Sequence, residues 1–305
     1  MKRVLSLLPS TTEIMYALGA EDALVGVTHE CDFPRGTASK PDVTSAEIHP
    51  ELESQEIDRL VRQQLEDSGS LYGLDMDLVR ELRPEIVLTQ QLCTVCAVGF
   101  ETVQKAMASL SEPPEVINIE PKNMNDVFKS IRDIAQLTQH EEAGAVLIDK
   151  LRSSLENIEK ANGPRLLFLE WLIPPFSAGD WIPEIIEAAG ALPVLANPGS
   201  HSRQLSWEKI EQAEFDVIVV SCCGLEVDRA IRDIGQSQEL QWLLNKRNDP
   251  PLFLFDGNHF FSRPGPRLVE SAQLLAKALN GESSDNLRAS ICKPFIYLQK
   301  REDIA

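Results

Sequence analysis

Leu74-Asp75-Met76-Asp77-Leu78-Val79-Arg80-Glu81-Leu82-Arg83-Pro84-Glu85-Ile86-Val87-Leu88 aligns without a gap to Leu205-Ser206-Trp207-Glu208-Lys209-Ile210-Glu211-Gln212-Ala213-Glu214-Phe215-Asp216-Val217-Ile218-Val219. Both stretches read as a helix, a short turn holding an acid, and a buried strand. A second pair keeps the same order: Glu13-Ile14-Met15-Tyr16-Ala17-Leu18-Gly19-Ala20 matches Glu184-Ile185-Ile186-Glu187-Ala188-Ala189-Gly190-Ala191. Helix–strand pairs recur by chance in α/β proteins, but two matches in one order favour two related halves. Apolar strand runs alternate with helical stretches, which argues for βαβ units and mainly parallel sheets. The strands expected in the first half are 4–8, 24–28, 86–90 and 116–119, and in the second 166–171, 217–221 and 252–256.

Between the halves, Val127, Ile131, Ile134, Leu137, Val146, Leu147, Leu151, Leu155 and Ile158 recur at three- and four-residue spacing, as on one helix face. A single helix over 123–161 would be about 58 Å long at 1.5 Å per residue; a break near Thr138-Gln139-His140 is the alternative. The expected architecture is α/β: two Rossmann-like lobes, 1–122 and 163–305, joined by a long backbone helix over 123–162.

The 305 residues carry 29 basic and 47 acidic side chains, a net charge of −18. That balance disfavours nucleic acid and anionic membrane as partners. No apolar run approaches the roughly 18 residues of a membrane span. The opening Met1-Lys2-Arg3-Val4-Leu5-Ser6-Leu7-Leu8 has the charge of a secretory leader, but its apolar run stops at Pro9, short of the roughly 7–15 residues a leader uses. Ser10 and Glu13 read instead as a capping box. The expectation is therefore a cytoplasmic protein with reduced cysteines.

Chemistry-bearing residues gather after the strands, and ligands of open α/β sheets sit outside the carboxyl ends of strands. Cys93 and Cys96 have the two-residue spacing of a metal clip, and Cys31 and Cys223 follow other strands. Adding Cys31, His29 and one of Cys222 or Cys223 to Cys93 and Cys96 makes a candidate soft site for zinc or another thiophilic metal; two small buried residues at a strand end are the plainer reading of Cys93 and Cys96. His29 suits the metal of a planar macrocycle, or hydrogen-bonds Glu30 or Asp32 in its own loop; His259 is its rival. Trp171 and Trp181, among prolines and glycine, read as flat walls for a large ligand, with Phe176, Phe260 and Phe261 adding to them. Trp207 and Trp242 read as core. Arg263, ahead of the last long helix, suits an anionic ligand group or an ion pair, with Glu170 or Asp256 as partner.

Two lobes joined by one long helix, with the opening Arg3–Ile14 and the Leu74–Leu88 block, resemble the helical-backbone class of periplasmic-type solute-binding proteins. That class captures cobalamin, ferric siderophores, haem and metal ions. Gly26–Asp32, Thr89–Val98, Phe168–Trp171, Asp256–Asn258 and Phe261–Arg267 are similar to a signal-less branch labelled cobalamin-binding protein. The resemblance implies a non-catalytic protein holding a cobalamin-like corrinoid or related metal chelate in a cleft between lobes. Its expected contacts are His29, Glu30, Gln91, Glu170, Trp171, Trp181, Asn258, Phe261 and Arg263. The competing expectation is a cysteine/histidine metal-binding protein, or a thiol- or metal-dependent enzyme, using the same cleft; no P-loop, Gly-rich dinucleotide motif or Ser-His-Asp arrangement is evident.

Overall fold

The computed structural model describes residues 2–46, 52, 54–67, 72–90, 100–247, 250–282 and 292–294. The chain divides into two compact units: Met1–Pro121 with Asn125–Lys150, and Lys122–Met124 with Leu151–Ala305. The first contains β1 (Val4–Ser6), α1 (Pro9–Ala17), β2 (Leu24–Val27), β3 (Thr44–Ala46), α2 (Ser54–Asp67), β4 (Tyr72–Leu74), α3 (Met76–Leu82), β5 (Ile86–Thr89), α4 (Phe100–Ala108) and β6 (Glu115–Asn118). Two helices follow, α5 (Met124–Thr138) and α6 (Glu141–Glu156). The second unit contains β7 (Arg165–Leu172), β8 (Pro175–Ser177), β9 (Gly179–Asp180), α7 (Ile182–Ala188), β10 (Leu192–Val194), β11 (Asn197–Pro198), α8 (Trp207–Gln212), β12 (Val217–Val220), α9 (Val227–Gln236), α10 (Gln238–Lys246), β13 (Leu252–Phe255), α11 (Leu268–Leu279) and β14 (Cys292–Pro294).

The first unit's main sheet has the order β2-β1-β5-β6, parallel throughout. The second unit's sheet runs β10-β7-β12-β13, also parallel, and β14 adds an antiparallel edge. In each unit the opening strand lies between its first and second successors. The chain winds outward on one side, then crosses over and continues on the other. The topological switch points are therefore β1/β5 and β7/β12, where α/β sheets open a crevice at their carboxyl ends.

The internal repeat holds in structure. An offset of 131 residues carries α3 and β5 onto α8 and β12. Aligned Asp75 and Ser206 are both N-caps: Asp75 Oδ1 accepts from the backbone N–H of Asp77 (3.1 Å) and Leu78 (2.9 Å), and Ser206 Oγ accepts from Lys209 N–H (3.3 Å). Aligned Gly19 and Gly190 both end helices with positive φ, 71° and 86°, the conformation that glycine adopts without a Cβ penalty.

Two local expectations are corrected. Ser10 is not the cap of α1. The helix starts one residue earlier at Pro9, whose missing N–H costs nothing at a first turn, and Ser10 and Glu13 lie buried within it. The linking segment is two helices rather than one. Gln139 between them has φ 61°, a left-handed conformation that cannot continue a right-handed helix. Gly144 of α6 then approaches α5 so closely that a Cβ there would lie 2.6 Å from that of Ala135. The chain passes from the first unit to the second within α6, after Lys150.

Buried Leu167, Leu169, Ile218, Val220, Leu252 and Leu254 fill the core beneath one face of the second sheet. At its carboxyl edge the backbone packs without room for side chains. A Cβ on Gly257 would lie 2.0 Å from the carbonyl oxygen of Cys222. Gly257→Ala is expected to destabilise the protein by more than about 2 kcal/mol, read as a lowered urea midpoint.

Candidate functional site

In the first unit, the carboxyl end of β1 turns into α1 over a buried hydroxyl network. Ser6 Oγ lies 2.6 Å from Thr11 Oγ1 and accepts from Thr12 Oγ1 at 2.8 Å. Cys31 is part of it: its Sγ lies 3.1 Å from Thr12 Oγ1, and the residue is buried. Burial, with the charges of Glu21 and Cys31, raises the Tyr16 hydroxyl above its ordinary pKa. Thr44, where β3 begins, organises the His29 loop. Its Oγ1 accepts from the His29 backbone N–H at 3.1 Å and lies 2.7 Å from His29 Nδ1 and 2.8 Å from Thr28 Oγ1. His29 Nε2 stands 3.3 Å from Glu30 Oε1, so His29 and Glu30 pair within one loop. Gln91, Cys93 and Cys96 lie outside the described residues. Among the described residues, no group of three or more His, Cys, Asp and Glu is arranged to hold a metal ion.

The second unit assembles more of the expected residues. The β12 register against β7, Val217↔Leu166 to Val220↔Leu169, places Ser221–Cys223 beside Glu170. Cys223 N–H donates to the Glu170 carbonyl at 3.1 Å. The Glu170 carboxylate accepts from Gly179 N–H at 2.7 Å. Its carboxyl is pushed up to about 8, first by burial and then by the charges of Cys223 and Asp180, against the lowering effect of its hydrogen bonds to Gly179 and Ser202. Cys222 is fully buried, and burial drives its thiol far above the ordinary range.

Beyond β13, Asp256 caps a π-helical turn over Gly257–Phe261. Its Oδ1 accepts from His259 N–H at 2.9 Å, and its Oδ2 holds His259 Nδ1 at 2.7 Å. Arg263 is buried and donates to Asn258 Oδ1 at 3.0 Å. It lies five residues ahead of α11 rather than at that helix's first turn.

The aromatic wall needs correction. Trp171 is half-buried and donates Nε1–H to Ile173 O at 3.1 Å, so part of its ring faces outward. Trp181 is only 8% exposed and donates Nε1–H to Phe261 O at 2.8 Å. Phe261 is 1% exposed, its ring 5.3 Å from Phe168 and 5.2 Å from Phe255. These two residues build the core under the rim and present no wall to a ligand. The proline- and glycine-bearing loop hid this because it folds back as β8 and β9. Trp242, expected in the core, is half exposed, with Lys246 Nζ 4.6 Å above its ring. The residues underweighted in the sequence are Asp256 and His259, whose signal is an acid closing a strand with a histidine three residues on.

The chain belongs to the periplasmic binding protein family, whose model matches residues 4–244. Curated relatives include the vitamin B12-binding protein of Photorhabdus laumondii, 22% identical over 289 residues covering 92% of this chain and 89% of that protein. The vitamin B12-binding protein of Yersinia pestis (strain Pestoides F) is 22% identical over 284 residues, covering 91% and 86%. Among solved structures, the periplasmic vitamin B12-binding protein of Vibrio cholerae superposes with TM-score 0.60 at 18% identity, covering 92% of this chain and 98% of that one. A periplasmic haem-binding protein from Pseudomonas aeruginosa gives TM-score 0.66 at 18% identity, covering 96% and 94%. At these identities the structures share the fold: mixed α/β with mainly parallel sheets.

The family and these neighbours overturn the cytoplasmic expectation, since both are described as periplasmic. That expectation rested on a short apolar run before Pro9. No helix among the described residues is long and apolar enough to cross a membrane.

The raised Glu170 carboxyl has a definite consequence for pH. Its folded pKa of about 8 lies above the ordinary 4.5, so the folded state holds the proton more tightly. Stability falls as pH rises from about 4.5 to about 8 and levels off beyond. Glu170→Gln removes this dependence. The variant is expected to match wild type near pH 5 and to exceed it near pH 8.5 by on the order of 2 kcal/mol, discounted for partial exposure, in urea melts at both pH values. Phe261→Ala is expected to cost about 3–5 kcal/mol at either pH.

Proposed function

We propose that this protein is a non-catalytic carrier that captures a corrinoid, or a closely related metal chelate, with the loops at the carboxyl ends of its sheets. The relatives named for vitamin B12 match over nine-tenths of this chain, and neighbours of the same fold are named for haem. Vitamin B12 and haem are both flat macrocycles around a metal. By analogy with those relatives, the protein would work outside the cytoplasm.

The observation that carries the reading is the rim of the second sheet. Glu170, Asn258 and His259 offer polar groups, and the half-buried Trp171 offers aromatic surface. Such a mixture suits a large ring with polar edges. Cys222 argues against thiol catalysis there: a catalytic thiol needs a lowered pKa, and burial drives this one upward.

Charge favours a corrinoid over haem. A net charge of −18 opposes the carboxylates of haem and tolerates the uncharged amides around a corrin. A Glu170 carboxyl still protonated near neutral pH donates a hydrogen bond to an amide carbonyl.

Equilibrium dialysis with cyanocobalamin and haemin tests this. One cyanocobalamin per chain, held at least tenfold more tightly than haemin, is expected, and Trp171→Ala weakens it by about tenfold through the lost aromatic surface. A protein that retains no corrinoid overturns the proposal.

A further inference from the structure

The two sheets are wound alike but finish differently. β13 is the last parallel strand of the second sheet, and β14 covers its outer side as a short antiparallel strand, with Phe253 opposite Pro294, Leu254 opposite Lys293 and Phe255 opposite Cys292. The offset that carries Val87 onto Ile218 also relates their partners in the next strand, Val116 of β6 and Leu252 of β13. β6 therefore holds the place of β13. Among the described residues no strand takes the place of β14, and β6 ends its sheet.

Backbone direction makes this end a template. Glu115 and Ile119 donate their N–H groups to the carbonyls of Glu85 and Thr89, at 2.9 and 2.8 Å. Successive residues of a strand aim their backbone groups to opposite sides, so Val116 turns its N–H and C=O to the outer edge. Val116 and Ile117 are half-buried and Glu115 is exposed. Beside the strand, an open cavity of about 720 Å³ is lined in part by Glu115 and Ile117 of β6, Asp133 and Leu137 of α5, Glu85 and Lys2, all of the first unit.

Charge selects the occupant. Three carboxylates line this cavity against one ammonium. Glu85 accepts the Arg3 backbone N–H at 2.9 Å and keeps its negative charge. Lys2 Nζ lies 3.9 Å from Glu115 and Lys129 Nζ 2.5 Å from Asp133, but these side chains are between 38% and 65% exposed. Exposed pairs of this kind contribute little and yield to a competing cation. A second copy of the chain would bring another charge of −18 to the edge, which opposes pairing of β6 with β6. The chain's own last strand is already placed on β13.

We propose that the outer edge of β6 is a docking site for an extended, basic segment of a partner protein. The segment adds to the first sheet as an antiparallel strand and sets lysine or arginine side chains against Glu85, Glu115 and Asp133. In strand addition, backbone hydrogen bonds supply affinity and alternate side chains supply specificity. β14 shows the arrangement within the same molecule, with Lys293 in the covering strand. Glu85 and Glu115 stand at the amino ends of β5 and β6, so the site is separate from the carboxyl edge proposed above to hold the chelate.

The probe is a short synthetic peptide alternating lysine and valine. Its controls are the glutamate counterpart and the lysine peptide N-methylated at alternate residues to remove backbone donors. Fluorescence anisotropy reads binding, and hydrogen exchange reads its place. The lysine peptide is expected to bind and to slow exchange at the Val116 amide, with both controls at least tenfold weaker. Val116→Pro removes the outward N–H, keeps the bonds from Glu115 and Ile119 and leaves the charge unchanged; it is expected to weaken the peptide at least tenfold. Glu115→Lys, at an exposed side chain, is expected to do the same with the backbone of β6 intact. No binding, binding that survives both substitutions, or protection that falls away from β6 overturns the proposal. So does a dimer in sedimentation that Val116→Pro dissolves, which would place a second copy on this edge.

Discussion

The parallel register of β12 on β7 is the constraint on which the second unit's rim depends. Once Val220 pairs with Leu169, the next residues of both strands must share one edge. Glu170 then meets the loop at Cys222–Cys223, and the Cys223 N–H closes on the Glu170 carbonyl. The register also decides how tightly β13 can follow. Leu252–Leu254 pair with Ile218–Val220, and Gly257 arrives against the Cys222 carbonyl with no space for a side chain. A slip of one residue would exchange the side chains of the sheet's two buried faces and break the packing of both. The buried leucines and valines beneath the sheet therefore position the polar edge as well as stabilising it.

The same winding in the first unit yields a different edge. The described part of the first sheet's edge adds a set of hydroxyls, Ser6, Thr11, Thr12, Thr28 and Thr44, beside the His29–Glu30 pair. Hydroxyls both donate and accept, so they satisfy one another when buried without any charge to desolvate. In the first unit the hydroxyls hold the titratable His29 through Thr44, whereas in the second the acids contact backbone N–H groups directly. Two related halves need not contribute equally to a ligand.

The repeat was legible because it is written in periodicity and caps. Asp75 and Ser206 occupy matching positions ahead of matching helices, and both cap. The strand ends were legible from apolar runs to within a residue or two. The aromatic wall was not. Trp181 and Phe261 sit among turn-forming residues, which suggests a surface loop. Their burial comes from contacts 80 residues apart, Trp181 Nε1 on Phe261 O, which no local pattern encodes. The break at Gln139 was legible only as an alternative, since glutamine carries no preference for left-handed backbone. The Asp256–His259 pair was legible in part: the acid and histidine are three residues apart, but the turn that joins them is π-helical rather than α-helical.

The described cysteines show that a thiol at a strand end need not line a site. Thiols at strand ends suggested a metal or a nucleophile, and their reduced state was argued from the compartment. Among the described cysteines, burial accounts for Cys31 and Cys222. Cys222 belongs to the core formed by Leu169, Val220 and Leu254, with a thiol too hard to ionise; Cys31 lies beneath the surface against Thr12. Free cysteine behaves as a small hydrophobe in such places, and an inaccessible thiol resists oxidation in any compartment, since the thiolate is the reactive form. Cys223 is different, being half-buried at the edge beside Glu170. Burial first, and then the charge of Cys223, holds the Glu170 carboxyl above its ordinary range.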